Sequence, residues 1–324
     1  MSRTFRRRTL AALPAALLLA LVPGSASAYP NPGTVTGDVV VHDPSMVRTA
    51  SGQYLLYSTG DGVQLRTSTD RTAFGRSGSA FATPPAWWRN YSADSDPWAP
   101  DISFHGGKYL MYYAVSSFGS NTSAIGLAGS ATGQPGSWTD YGTVYTSTAS
   151  SDYNAIDPSL FVDDDGKWWL SFGSWWTGIK MIRIDPSTGK QDAGDTARRS
   201  LASRPTGTRA VEAPTVVKRN GSYYLFASYD TCCAGTSSTY KVRVGRAASV
   251  TGPYYDRDGV NMLNNGGTAV LESHGRYIGP GGQSVLADSD GDLLVYHYYD
   301  GQDGGTPKLG VNLLNWSSGW PVAY

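Results

Sequence analysis

Across 324 residues the chain balances 26 basic against 26 acidic side chains, with 12% aromatic residues, 16% charged residues and two cysteines. This balance leaves no basic face for a nucleic-acid partner, and the two neighbouring cysteines, Cys232 and Cys233, exclude a disulfide-framework fold. Thirty-nine glycines, 21 tyrosines and no long Glu/Lys/Ala/Leu stretch argue for an all-β chain rather than a helical one.

The N-terminus reads as a leader. Arg3, Arg6, Arg7 and Arg8 precede an apolar run from Leu10 to Val22, which ends in Gly24-Ser25-Ala26-Ser27-Ala28. A basic start, a short apolar centre and an Ala-x-Ala end predict a secretory signal peptide over 1–28, cut after Ala28. The run is too short and Ala-rich for a membrane span. A secreted, extracellular protein without membrane attachment after cleavage is expected, by either the general or the twin-arginine route. Without the leader arginines, 22 basic residues face 26 acidic ones.

From residue 29 onward the chain repeats. Five segments carry a Gly, one further residue and an aromatic or aliphatic strand: Gly52 to Tyr57, Gly107 to Tyr112, Gly166 to Leu170, Gly221 to Phe226 and Gly291 to Tyr296. Their spacings are 55, 59, 55 and 70 residues. Upstream of each lies a prolyl element: His42-Asp43-Pro44-Ser45, Trp98-Ala99-Pro100-Asp101, Ile156-Asp157-Pro158-Ser159, Val211-Glu212-Ala213-Pro214 and the degenerate Ile278-Gly279-Pro280-Gly281. Asp164-Asp165-Gly166 and Arg219-Asn220-Gly221 are tight-hairpin signals, because Asn and Asp before Gly tolerate positive φ. A repeat of this size, with roughly four strands, is a propeller blade. The sequence therefore predicts an all-β, five-bladed β-propeller occupying 29–324 as one domain. The acidic Asp288-Ser289-Asp290-Gly291-Asp292 sits at a repeat hairpin and reads as a turn, not a calcium loop. The stretch from Ala73 to Asp96 is the best candidate for a lid.

In a propeller, corresponding positions of successive repeats converge on a central channel. Three of those positions are acidic: Asp43, Asp157 and Glu212. Asp-Pro is also a common turn opener, but three acids beside prolines in one channel must shift one another's proton affinities. That coupling is what acid–base catalysis uses.

The prolyl elements resemble the motif set of glycoside hydrolase family 43. So do Ser117-Phe118-Gly119-Ser120, Ser171-Phe172-Gly173-Ser174-Trp175-Trp176, Ser228-Tyr229-Asp230-Thr231-Cys232-Cys233 and Val295-Tyr296-His297. Within that family, the resemblance is to the members that cut arabinan internally. It implies inverting endo-hydrolysis of 1,5-α-L-arabinofuranosidic linkages, with the arabinan polysaccharide as partner and a monomeric enzyme. Asp43 would be the general base, Glu212 the general acid and Asp157 the carboxylate that raises the acid's pKa. Asp101, Gly119, Asn154, Ala155, Ile156, Ser174, Trp175 and Trp176 match sugar-binding segments, and Trp98 and Phe118 match stacking platforms. His297 matches the imidazole that brings a metal, usually calcium, into the channel.

One departure stands out. Relatives often carry Gly-Pro-Gly-His-Asn-Ser where this chain has Gly279-Pro280-Gly281-Gly282-Gln283-Ser284, and His274 is the nearest imidazole upstream. The rival readings are an exo-acting α-L-arabinofuranosidase or β-xylosidase on the same fold, and a non-catalytic sugar-binding propeller. The redox state of Cys232 and Cys233 stays open at this stage, since adjacent cysteines can be free thiols or a strained vicinal bridge.

Overall fold

The computed structural model describes Met1, residues 29–94 and residues 96–324, so the predicted leader lies outside the described residues apart from Met1. Each prolyl element enters the first strand of a sheet: Ser45–Arg48, Trp98–His105, Ser159–Val162, Val211–Arg219 and Tyr277–Asp288. Each Gly-led segment becomes the second strand: Tyr54–Ser58, Lys108–Val115, Trp168–Phe172, Ser222–Tyr229 and Gly291–Asp300. Third and outer strands complete five antiparallel blades. In the third blade two short pieces, Lys190–Gln191 and Arg199–Ala202, share the outer position against Ile179–Asp185. The five first strands neighbour one another in chain order, and the fifth returns to the first. The molecule is a five-bladed β-propeller.

The second strands are apolar on both faces because each blade is a sandwich filling. Along Lys108–Val115, Tyr109, Met111 and Tyr113 enter the core shared with blade one, while Leu110 and Tyr112 enter the core shared with blade three. This is the period of two of a strand, with hydrophobes on both sides. Five such inter-blade cores replace a single central one. Truncating one filler, such as the fully buried Leu170, to Ala should cost about 2–5 kcal/mol.

The ring is closed by the segment before blade one. Gly33 donates to the Val311 carbonyl and Val39 accepts from Leu309, each at 2.8 Å, on blade five. Thr36–Gly37 then pairs in parallel with Ala73–Ser79, covering the outer edge of blade one. The stretch from Ala73 to Asp96, the best candidate for a lid, packs into the blades instead among its described residues. Ala73–Ser79 is that outer strand, and Phe81 and Trp88 are buried between blades one and two, because two large apolar side chains gain more from the inter-blade core than from covering a wet groove.

A repeated backbone device aims the inner strands. The residue before each inner proline has positive φ: Asp43 48°, Ala99 42°, Asp157 56°, Ala213 49° and Gly279 55°. Strand register shifts at this point in blades two, four and five. Such bulges bend a strand and re-aim its side chains, and each non-glycine case costs on the order of 1–3 kcal/mol.

Candidate active site

The prolines give a common frame for the five inner strands. Asp43 and Asp157 stand immediately before their prolines, whereas Glu212 stands two residues before Pro214, level with His42, Trp98 and Ile156. The three acids are therefore not at one equivalent position, as the motif reading had them. The bulge at Ala213 lets Glu212 reach the same cavity, a groove of about 870 Å³ whose walls include Asp43, Asp157 and Glu212.

Asp43 is held as an anion. Its Oδ2 faces His42 Nδ1 at 2.8 Å and accepts from the Thr59 hydroxyl at 2.9 Å. Burial alone would raise its pKa, but the charge and hydrogen bond of His42, then His297 and Thr59, bring it down to about 2. His42 behaves reciprocally: burial opposes its charge, and Asp43 outweighs burial and raises its pKa. The His42 ring stacks on His297 at 3.7 Å and its Nε2 lies 2.8 Å from the Tyr299 hydroxyl.

Asp157 and Glu212 hold protons more firmly. Burial, then the charges of Glu212 and Asp43, keeps the Asp157 pKa well above the ordinary carboxyl value, partly offset by the Ala213 amide. That amide donates to Asp157 Oδ2 at 3.0 Å. Glu212 is also raised by burial; the hydroxyls of Ser174 and Tyr240 pull it down, and Asp43 pushes it up again. Ser174 donates to Glu212 Oε2 at 2.6 Å. The site thus contains one firm carboxylate and two buried carboxyl groups of raised proton affinity.

Of the predicted sugar-binding residues, Trp98, Phe118, Gly119 and Asn154 line the groove, as do Ile156, Ser174, Trp175 and Trp176. Phe118 is 85% exposed, on a loop tied down by Asn154, whose Nδ2 donates to the Ser120 carbonyl. Trp175 and Trp176 both have positive φ, 52° and 39°, which bulky residues rarely adopt. The Trp175 amide donates to Val211, and its carbonyl accepts from Gly178, which holds both rings half-exposed at the groove.

Ala155 is fully buried and does not reach the groove. Asp101 is also absent from it. One residue past Pro100, Asp101 is level with Ser45, Ser159 and Thr215, a row that staples neighbouring blades. Ser45 accepts from the Ile102 amide, Asp101 from the Leu160 amide and the Gln283 carbonyl from Thr215. Asp101 instead lines a small cavity in the channel beneath the groove, where burial pushes its pKa up to about 7.

His297 is fully buried behind Asp43, and its Nδ1 accepts the Asp43 amide at 3.1 Å. Its Nε2 has no hydrogen-bond partner among the described residues. His42, Asp43 and His297 bring their possible ligand atoms within 4.8 Å of one another.

The Gly282-Gln283 departure has a geometric reason. A Cβ at residue 282 would lie 2.3 Å from Asp43 Oδ1 and 2.8 Å from the His297 ring, so this arrangement admits only glycine. Gln283 accepts from Ser228 and donates to the Ala213 carbonyl, each at 2.6 Å, clamping the peptide next to Glu212. His274 does not substitute: its Nδ1 meets the Glu272 carbonyl and its ring packs beside Tyr29 and Tyr277.

Motif reading passed over Thr59, Arg209, Tyr240 and Tyr299, which also line the groove. Tyr299 follows His297 by two in a run that looked like ordinary strand, and Arg209 and Tyr240 belong to no repeated element.

A propeller that gathers three carboxylates of unlike proton affinity in an open, aromatic-lined groove has the make-up of a carbohydrate-cleaving hydrolase. Residues 32–321 match Glycosyl hydrolases family 43, and the chain belongs to that family. It is 48% identical over 288 residues, 87% of either chain, to an extracellular endo-α-(1→5)-L-arabinanase of Bacillus subtilis. It is 39% identical over 299 residues to an extracellular exo-α-(1→5)-L-arabinofuranosidase of Cellvibrio japonicus, covering 87% of this chain and 86% of that one. Among solved structures, an endo-arabinanase of Bacillus licheniformis superposes with a TM-score of 0.84 at 46% identity, covering 89% of this chain and 99% of the other.

Proposed function

We propose that this protein is a secreted endo-arabinanase that hydrolyses internal 1,5-α-L-arabinofuranosidic bonds of arabinan. The observation that carries the reading is a groove lined by three carboxylates and by binding surface from several blades. Likeness to the Bacillus enzymes, both endo-acting by name, supports the same mode of attack. The leader pattern and the extracellular relatives support secretion. The chain would act as a monomer, with 29–324 as one catalytic domain.

Asp43, ionised across the whole working pH range, takes the proton of the attacking water. Glu212, protonated through burial and the charges around it, protonates the leaving oxygen. Asp157 raises the acid's pKa and helps to orient it. With separate base and acid the reaction inverts configuration, because water attacks directly and no glycosyl-enzyme forms.

His297 would hold a calcium ion through its unpartnered Nε2, with water supplying the oxygen ligands that calcium needs. Since the Asp43 amide occupies Nδ1, binding at Nε2 requires the ring proton to move to Nδ1 and that amide contact to loosen. When bound, the ion would supply positive charge beneath the groove. A water accepting from Nε2–H is the rival occupant.

Linear arabinan decides the mode of attack. An endo-enzyme lowers viscosity at once and gives a ladder of oligosaccharides; the exo reading, favoured by the Cellvibrio relative's name, gives free arabinose while the polymer stays long. Proton NMR of the first product tests inversion.

A further inference from the structure

The groove is asymmetric in what it offers a sugar. Towards blades two and three its wall carries the exposed rings of Phe118, Trp175 and Trp176. Towards blades four and five the two aromatic residues in the wall, Tyr240 and Tyr299, are only 2% and 3% exposed. Yet an endo-enzyme must hold arabinose units on both sides of the scissile bond. The surface on the bare side includes Cys232 and Cys233, joined in a vicinal disulfide. Cys233 is exposed and Cys232 half-exposed.

We propose that the Cys232–Cys233 disulfide is a sugar-binding platform, taking the place of an aromatic ring on the blade-four and blade-five side of the groove. This rests on the endo reading above. The paired sulfurs are soft, polarisable and apolar, which suits the C–H face of an arabinofuranose. Adjacency in sequence makes the unit compact, a ring closed over one peptide.

The loop that carries it is fixed on every side. The Cys233 amide donates to the Tyr299 hydroxyl at 2.8 Å, and the Ala234 amide to Ser238. Thr231 and Thr239 bond to each other through backbone and side chain. Asp230, at the loop's start, pairs with both Arg204 and Lys241. A preformed surface loses little entropy on binding. Cys233 Sγ also sits 3.8 Å from His42 Nε2, which places the platform beside the residue that holds Asp43.

Reduction tests the idea on the intact protein. One dithiothreitol gives two electrons and two protons, converting the bridge to two thiols and itself to a cyclic disulfide. Calorimetry with linear arabino-oligosaccharides on oxidised, reduced and reoxidised Glu212→Gln protein, and on the same variant carrying C232A/C233A, reads binding with turnover suppressed. Weakening by about fivefold or more on reduction, recovered on reoxidation and matched by the double variant, is the expected result. For the wild type on polymer the same change should appear in KM, with kcat altered by less than about twofold, as for a contact made equally in ground and transition states.

Equal affinity in both redox states overturns the platform while leaving the endo reading intact. A loss confined to kcat also overturns it, since the bridge would then act through Tyr299 and His42. Redox-dependent binding without polymer cleavage supports the platform and sinks the endo reading. Binding in neither state sinks both.

Discussion

The amide of Ala213 donates to Asp157 Oδ2 at 3.0 Å, so the peptide that follows the candidate acid Glu212 also orients its carboxylate neighbour. Gln283 fixes the other face of that residue through the Ala213 carbonyl. A bulge that looks like local strain therefore links two buried carboxyl groups whose proton affinities are both raised. Removing the acid without disturbing this peptide gives a clean test. Glu212→Gln should lower kcat on arabinan by about 10²–10⁴-fold, the usual worth of a general acid. Aryl arabinosides with good leaving groups should be affected much less. Equal losses on both substrates would move the acid role elsewhere.

Two substitutions should shift the alkaline limb of the pH–rate profile in opposite directions. The charge of Glu212 raises the Asp157 pKa, and like charges act on each other reciprocally, so Asp157→Asn should bring the limb to lower pH. The Ser174 hydroxyl stabilises ionised Glu212 and lowers its pKa, so Ser174→Ala should move the limb upward. Shifts in the same direction would contradict the electrostatic account.

The same pair makes stability pH-dependent. Asp157 and Glu212 have folded-state pKa values above their ordinary ones, so their contribution is full below the unfolded values. It is lost as pH rises through the folded ones, at up to about 1.4 kcal/mol per pH unit for each group. Asp157→Asn should flatten the fall of Tm between pH 5 and pH 8 and leave the variant more stable than wild type at pH 8. A steeper fall in the variant would show that Asp157 is ionised and paired, contrary to its surroundings.

How much of this was legible beforehand depended on repetition. The Gly-led segments recur because each second strand must fill two inter-blade cores, and they marked all five blades. The prolyl elements recur because each inner strand takes positive φ immediately before its proline. Asp101 misled because its motif resembles the others; only the proline frame shows it lying past the bulge, among the inter-blade staples. Tyr240, Tyr299 and Arg209 were invisible because each serves one blade only. The bond between Cys232 and Cys233 could not be read from adjacency, which permits thiols equally.

Phe118 offers a direct measure of the aromatic side of the groove. Its ring is 85% exposed and belongs to none of the inter-blade cores. Phe118→Ala should leave Tm within the scatter of surface changes, about 0.5 kcal/mol. If the ring stacks on sugar, losing a contact of about 0.5–1.5 kcal/mol should raise KM for arabinan up to about tenfold. An unchanged KM would mean that the polymer passes elsewhere.

The space at His297 Nε2 can be assigned by removing whatever fills it. The ring stacks on His42 and accepts the Asp43 amide, so His297→Ala should cost activity whether or not a metal binds. Substitution alone therefore cannot separate the occupants, and the comparison must be made between chelated and untreated protein. If calcium binds there, a strong chelator should lower both Tm and activity of the wild type, and added calcium should restore them. His297→Ala should then start from the lower values and respond to neither treatment. If water fills the space, the chelator leaves the wild type unchanged, elemental analysis finds no stoichiometric calcium, and His297 acts only by fixing His42 and the Asp43 amide.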